Sequence, residues 1–223
     1  AFFVIFFWGA FEQAGASLTL FADRQTERTI FGWEMPASYF QSVNPLAVIS
    51  LAPIMTIVWG FLYARKLEPS SPKKMAIGLG LVALGYVVIA IAVKGLGLGE
   101  KVSMWWLIGL YVIHTIGELC LSPIGLSMVS KLAPLRLSSL MMGTWFLANA
   151  AANKFAGTLS ALIPGGEDGT GGATSFIGFQ ITNLYEFFIL FIIMSGAAAA
   201  ILFVLSSWLE KRMHNDHIEG QTE

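Results

Sequence analysis

The chain has 223 residues, 56% of them hydrophobic and 12% charged, and a mean hydropathy of +0.70. Soluble domains carry about a quarter of their residues as charged side chains, so this composition excludes one and points to a membrane. A net charge of −1 offers no basic surplus for nucleic acid, and the single Cys120 makes no disulfide framework.

Six apolar stretches of about 20 residues or more, each enough to cross about 30 Å of hydrocarbon as helix, lie at 1–22, 39–63, 75–93, 104–130, 139–163 and 182–208. The predicted fold class is all-α: a polytopic membrane bundle of six transmembrane helices over 1–209, with a polar tail over 210–223. The opening "AFFVIFFWGA" lacks both an initiator Met and a basic n-region. That argues against a signal peptide and for a longer parent chain.

In chain order, the first span carries Trp8 and Glu12 one turn apart on one face. The second carries Asn44 and is expected to be interrupted by Pro45 and Pro53. In the fourth, His114, Glu118 and Ser122 share a face, Pro123 frees the Leu119 carbonyl, and Gly117 and Gly125 permit close helix approach. The fifth aligns Trp145, Asn149 and Asn153, so the polar stripes are expected to line one cavity. The segment "PGGEDGTGGATS" lacks the Lys-Ser/Thr ending of a phosphate loop and reads as a flexible connection.

Basic residues orient the bundle. Arg65, Lys66, Lys73, Lys74, Lys131, Arg136, Lys211 and Arg212 lie in the second and fourth connections and the tail, against Arg24, Arg28, Lys94 and Lys101 in the others. By the positive-inside rule both ends are expected to be cytoplasmic. Three ionisable residues remain at depth: Glu12, Glu118 and Lys154, each about 13–22 Å from either surface. Lys154 has a long stem and can snorkel. For the carboxylates, an intramembrane charge costs at least about 2.5–3.5 kcal/mol and marks a functional site, although a bond from His114 could make Glu118 a mere helix tie.

Internal repetition supports function. Glu12 and Glu118 stand 106 positions apart, and Asn44 and Asn149 stand 105 apart. Each triplet crosses three times, so the second copy is inverted relative to the first, as in secondary transporters. No metal site is expected, because Cys120 points about 160° from Glu118 at helical spacing and no further ligand is near. Nor is an enzyme: a serine nucleophile would need a histidine from another helix, and His214 and His217 lie in the tail.

The stretches "FFWGAFEQAGASLTLFADR", "FQSVNPLAVISLAPI", "GELCLSPIGLSMVSKLAP" and "MMGTWFLANAAANKFAG" resemble the carboxyl-terminal half of the proton-dependent oligopeptide transporters, a family of the major facilitator superfamily. The resemblance covers nearly the whole chain. It implies helices seven to twelve of a proton-coupled symporter that imports di- and tripeptides, facing an amino-terminal six-helix bundle of the same parent chain. Glu118 would hold the peptide amino terminus with Asn44; Trp8, Trp145, Asn149 and Ser122 would line the pocket; Glu12 and Glu118 would couple protons. No cofactor is implied beyond the coupling proton, and the location would be a bacterial inner membrane, with room for a homo-oligomer. The family's "ExxER" motif and the basic residues for the peptide carboxylate belong to the other half. The competing reading is a complete six-span channel subunit or assembly scaffold with structural carboxylates.

Overall fold

The computed structural model describes residues 2–96, 100–164, 174–176 and 178–219. Helix α1 covers Phe2–Phe11 and α2 covers Ser17–Gln25, joined by a 3-10 turn at Glu12–Gly15. Then come α3 (Val43–Ala64), α4 (Ser71–Val93), α5 (Met104–Leu132), α6 (Ser138–Ser160) and α7 (Leu184–Glu219). Short strand pairs lie in the first, third and fifth connections, including a parallel bridge that sets Thr26 beside Val102.

Among the described residues, five helices are long and apolar enough to cross a membrane: Phe2–Gln25, Ala37–Ala64, Ser71–Val93, Met104–Val129 and Leu184–Ser206. The fifth predicted span is present as α6, whose 23 residues extend about 34 Å, but Asn149, Asn153 and Lys154 dilute its hydropathy. The last helix runs past the predicted 182–208 to Glu219, because no Gly or Pro interrupts it between Gly196 and Gly220. The connection expected at "PGGEDGTGGATS" lies mostly outside the described residues.

Helix α4 forms the centre, with 56% of its span buried, and packs against α5 and α7. Small residues bring the backbones together: a Cβ on Gly78 would lie 2.7 Å from the Gly117 carbonyl of α5. Close approach of this kind replaces the hydrophobic drive that lipid cannot supply. Around it Phe7, Phe21, Tyr86, Phe187, Phe188 and Phe191 are fully buried, with Tyr86 and Phe191 stacked at 4.7 Å. At the other extreme, only 6% of the second span is buried, and no side chain of α3 is fully enclosed.

The breaks fall where the sequence reading did not put them. Pro45 sits in the first turn of α3, where its missing N–H has no helical partner to lose, so it opens that helix instead of interrupting it. Pro53 and Pro123 lie inside helices that continue past them. The real discontinuity is in the first span, which contains no proline: Ala16 leaves helical geometry at φ −125° and ψ −103°.

Candidate functional site

That discontinuity carries Glu12. Freed carbonyls at this depth have no water to bond, so protein must satisfy them. The Tyr86 hydroxyl of α4 donates to the Ala10 carbonyl at 2.7 Å, and the Tyr111 hydroxyl of α5 donates to the Ala14 carbonyl at 3.2 Å. Thr19 Oγ1 donates to the same Ala14 carbonyl at 2.8 Å. Beside Glu12, the buried Gln13 donates Nε2 to the carbonyls of Gly9 at 3.1 Å and Ala156 at 3.0 Å, and accepts from Ser17 Oγ at 2.5 Å. The turn is thereby tied to α4, α5 and α6. Glu12 itself is half-buried, and Glu118 is near enough for its charge to act on it.

Glu118 sits on the unbroken α5. Asn44, in the first turn of α3, donates Nδ2 to Glu118 Oε2 at 2.9 Å and to Thr115 Oγ1 at 3.0 Å. Thr115 in turn donates its hydroxyl to the Tyr111 carbonyl at 2.8 Å. A carboxylate held this way is oriented by a neutral donor, the Asn44 amide, and remains half-buried. The arrangement is suited to receive a cation.

His114 does not join this cluster. Its imidazole is 2% exposed and donates Nε2–H to the Val82 carbonyl of α4 at 3.1 Å. It fills the space beside Gly85, where a Cβ would sit 2.4 Å from the ring, so the helix tie from His114 to Glu118 is not made. Ser122 is half-buried one turn beyond Glu118.

The fifth-span stripe separates similarly. Trp145 is only 5% exposed, and its indole lies against Gly125, where a Cβ would come within 2.3 Å of the ring. It packs α6 onto α5 within the bundle, against the expectation that it presents a face to a cavity. Trp8 is half-buried, with its ring edge-on to Phe7 and Phe11 and its Nε1 buried without a partner. Asn149 is half-buried and its Oδ1 likewise has no partner, while Asn153 is exposed and donates to the Asn149 carbonyl at 3.1 Å. Lys154 is exposed. Four residues in this region escaped the sequence reading: Gln13, Tyr86, Tyr111 and Thr115. Their signals were polar atoms in apolar spans, with Gln13 next to Glu12 and Thr115 three residues before Glu118.

Among the described residues, no group of three or more His, Cys, Asp or Glu side chains is placed to hold a metal ion.

The chain is 42% identical over 160 residues to the peptide transporter YePEPT of Yersinia enterocolitica, covering 71% of this chain and 31% of that protein. It is 32% identical over 213 residues to dipeptide and tripeptide permease A of Salmonella typhi, covering 95% of this chain and 40% of the permease. The chain thus spans well under half the length of these relatives. A crystal structure of a POT peptide transporter in complex with alafosfalin superposes with a TM-score of 0.78 at 31% identity, over 92% of this chain and 38% of that one. Another POT family transporter, in complex with 5-aminolevulinic acid, gives 0.75 at 32% identity, over 92% and 39%. The described helices therefore have the membrane fold of these transporters. A profile of the POT family matches residues 1–171, and the chain belongs to that family.

Proposed function

We propose that this chain is the carboxyl-terminal half of a proton-coupled symporter for di- and tripeptides, and that it supplies the pocket for the peptide amino terminus. The observation that carries the reading is the Asn44–Glu118 bond of 2.9 Å. It holds an intramembrane carboxylate in one orientation without neutralising it. A peptide ammonium would complete the pair, and the Asn44 carboxamide would stay beside it. The relatives named for peptides, dipeptides and tripeptides support the substrate class.

Glu12 is the proton-coupling group in this reading. A carboxyl at a broken turn can exchange one neighbour for another as two bundles rock, and its affinity for a proton changes with each neighbour. The amino-terminal bundle would cover α3, which this chain leaves almost unburied, and the exposed Phe146 and Leu147 of α6. The excess of Lys and Arg in the second and fourth connections and the tail supports a cytoplasmic position for both ends of the segment.

The test is Glu118→Gln in the full-length parent. Replacing a charge-assisted bond by a neutral one costs about 1.5–3 kcal/mol, so Ala-Ala affinity should fall about tenfold to a hundredfold with insertion intact. Acetylating the peptide amino group should mimic the substitution. Wild-type affinity in the Gln variant would overturn the assignment.

A further inference from the structure

We infer that Tyr111 is a positioning residue that links the turn carrying Glu12 to the cluster holding Glu118. The inference rests on the transporter reading for its role in coupling, but on geometry for the link itself. Tyr111 acts through both ends. Its side-chain hydroxyl donates to the Ala14 carbonyl at 3.2 Å, in the turn that begins with Glu12. Its backbone carbonyl accepts the Thr115 hydroxyl at 2.8 Å, and Thr115 accepts from the same Asn44 amide that bonds Glu118. One residue of α5 thus bonds the turn that carries Glu12 with its hydroxyl and reaches the Asn44–Glu118 cluster through Thr115 with its backbone.

The broken turn is the element able to adopt two arrangements. Its residues make 3-10 bonds, and the outer segment α2 continues from Ala16, which is out of helical geometry. On the inner side the turn is fixed to α4 through Tyr86 and the Ala10 carbonyl, both fully buried. On the outer side it is fixed through Tyr111 and Ala14, and Ala14 is only half-buried. Release of the Tyr111 hydroxyl would let α2 and the Ala14 end of the turn shift while Gln13 keeps its bond to α6 and Ala10 keeps its bond to α4. A shift of the Asn44–Glu118 cluster on peptide binding would bear on that hydroxyl through Thr115.

The titratable and charged groups facing this turn come from each neighbour. From α5 there are Glu118, Tyr111 and His114, the last committed to Val82; from α4, Tyr86. α6 meets the turn through the Ala156 carbonyl, and its Lys154 is exposed; Glu186 of α7 is committed to Thr182. Glu118 and Tyr111 share one helix with the cluster, so they are the groups through which peptide occupancy would be felt at Glu12.

The experiment uses the full-length parent with Tyr111→Phe, and with Tyr86→Phe as the control that removes a carbonyl bond on α4 instead. Reconstituted protein is assayed for Ala-Ala counterflow and for accumulation driven by a pH gradient. Tyr111→Phe should keep counterflow within about twofold and lower accumulation about fivefold, the population change that one lost hydrogen bond brings. Tyr86→Phe should lower both together. Equal losses of counterflow and accumulation in Tyr111→Phe would mean that its hydroxyl only satisfies a carbonyl, and would overturn the inference.

A second measurement does not depend on transport. Spin labels at Leu20 of α2 and Leu84 of α4, both exposed, report the outer segment in a background with Cys120→Ala and no other cysteine. Wild-type protein should show a Leu20–Leu84 distance that shifts between pH 5 and pH 8, and Tyr111→Phe should broaden it and remove the shift. Identical distributions in both proteins would overturn the inference even if the parent proved not to move peptides. If the parent fails to accumulate Ala-Ala while the distances behave as expected, the transport reading fails and the link stands.

Discussion

In the first helical triplet Asn44 bonds Glu118 across α3 and α5 at 2.9 Å, whereas Asn149, 105 positions later, leaves its Oδ1 without a partner. The two halves are otherwise arranged alike. Exchanging the first three spans for the last three turns the contact of α1 with α6 into that of α5 with α3. It also turns α4 on α5 into α7 on α1 and leaves α4 on α7 unchanged, and all these pairs are in contact. The difference lies in the helix that bears each carboxylate. Helix α5 runs unbroken through Glu118, so a side chain one helix away can meet it squarely. The first span breaks at Glu12, and Gln13 takes the contact with α6 by bonding the Ala156 carbonyl at 3.0 Å. Repeated sequence supplied the same polar residues twice. Different helix geometry gave one pair to a fixed cluster and left the other pair unmade.

The sharpest way to break this comparison is Glu12→Gln in the full-length parent. If Glu12 is the coupling group, counterflow of Ala-Ala should survive while accumulation driven by a pH gradient is lost. Undiminished accumulation would put Glu12 on the same footing as a helix tie. Next in size is the asparagine pair. Asn44→Ala removes a bond to a charged group, and Ala-Ala affinity measured by calorimetry should fall about tenfold or more, while Asn149→Ala should stay within about threefold. Equal effects at the two positions would erase the asymmetry.

A smaller effect is expected at Gln13. Gln13→Leu leaves the Gly9 carbonyl of the broken span and the Ala156 carbonyl of α6 with one partner fewer each, at a cost of about 1–3 kcal/mol. Thermal unfolding in detergent should show a lowered midpoint, and an unchanged one would mean that the turn does not need its tie to α6. The smallest effect belongs to the first connection. There Arg28 bonds Asp23 at 2.9 Å and Glu34 at 3.0 Å, both partners well exposed. Glu34→Gln should cost under about 1 kcal/mol, and salt should shrink the difference further. The Thr29 side chain, and after it the Thr29 backbone N–H, bond the exposed Glu27 and lower the pKa of its carboxyl. That contribution is present above the ordinary carboxylate pKa and is lost on acidification, so Thr29→Val should matter least and only at neutral pH.

Sequence alone determined the membrane class and the approximate limits of the long apolar helices. These follow from hydropathy and length, which are read along the chain and need no partner. The choice of partners was not legible there. Spacing put His114 on the Glu118 face, but the gap beside Gly85 and the Val82 carbonyl took it to α4. Trp145 looked like a pocket residue until Gly125 gave its ring a place inside the bundle. Prolines pointed to breaks in the second and fourth spans, yet the break came in the first. The hydroxyls that satisfy its freed carbonyls lie 76 and 97 positions away, on Tyr86 and Tyr111. In hydrocarbon a helix can open only where such donors wait, and tertiary packing alone decides where that is.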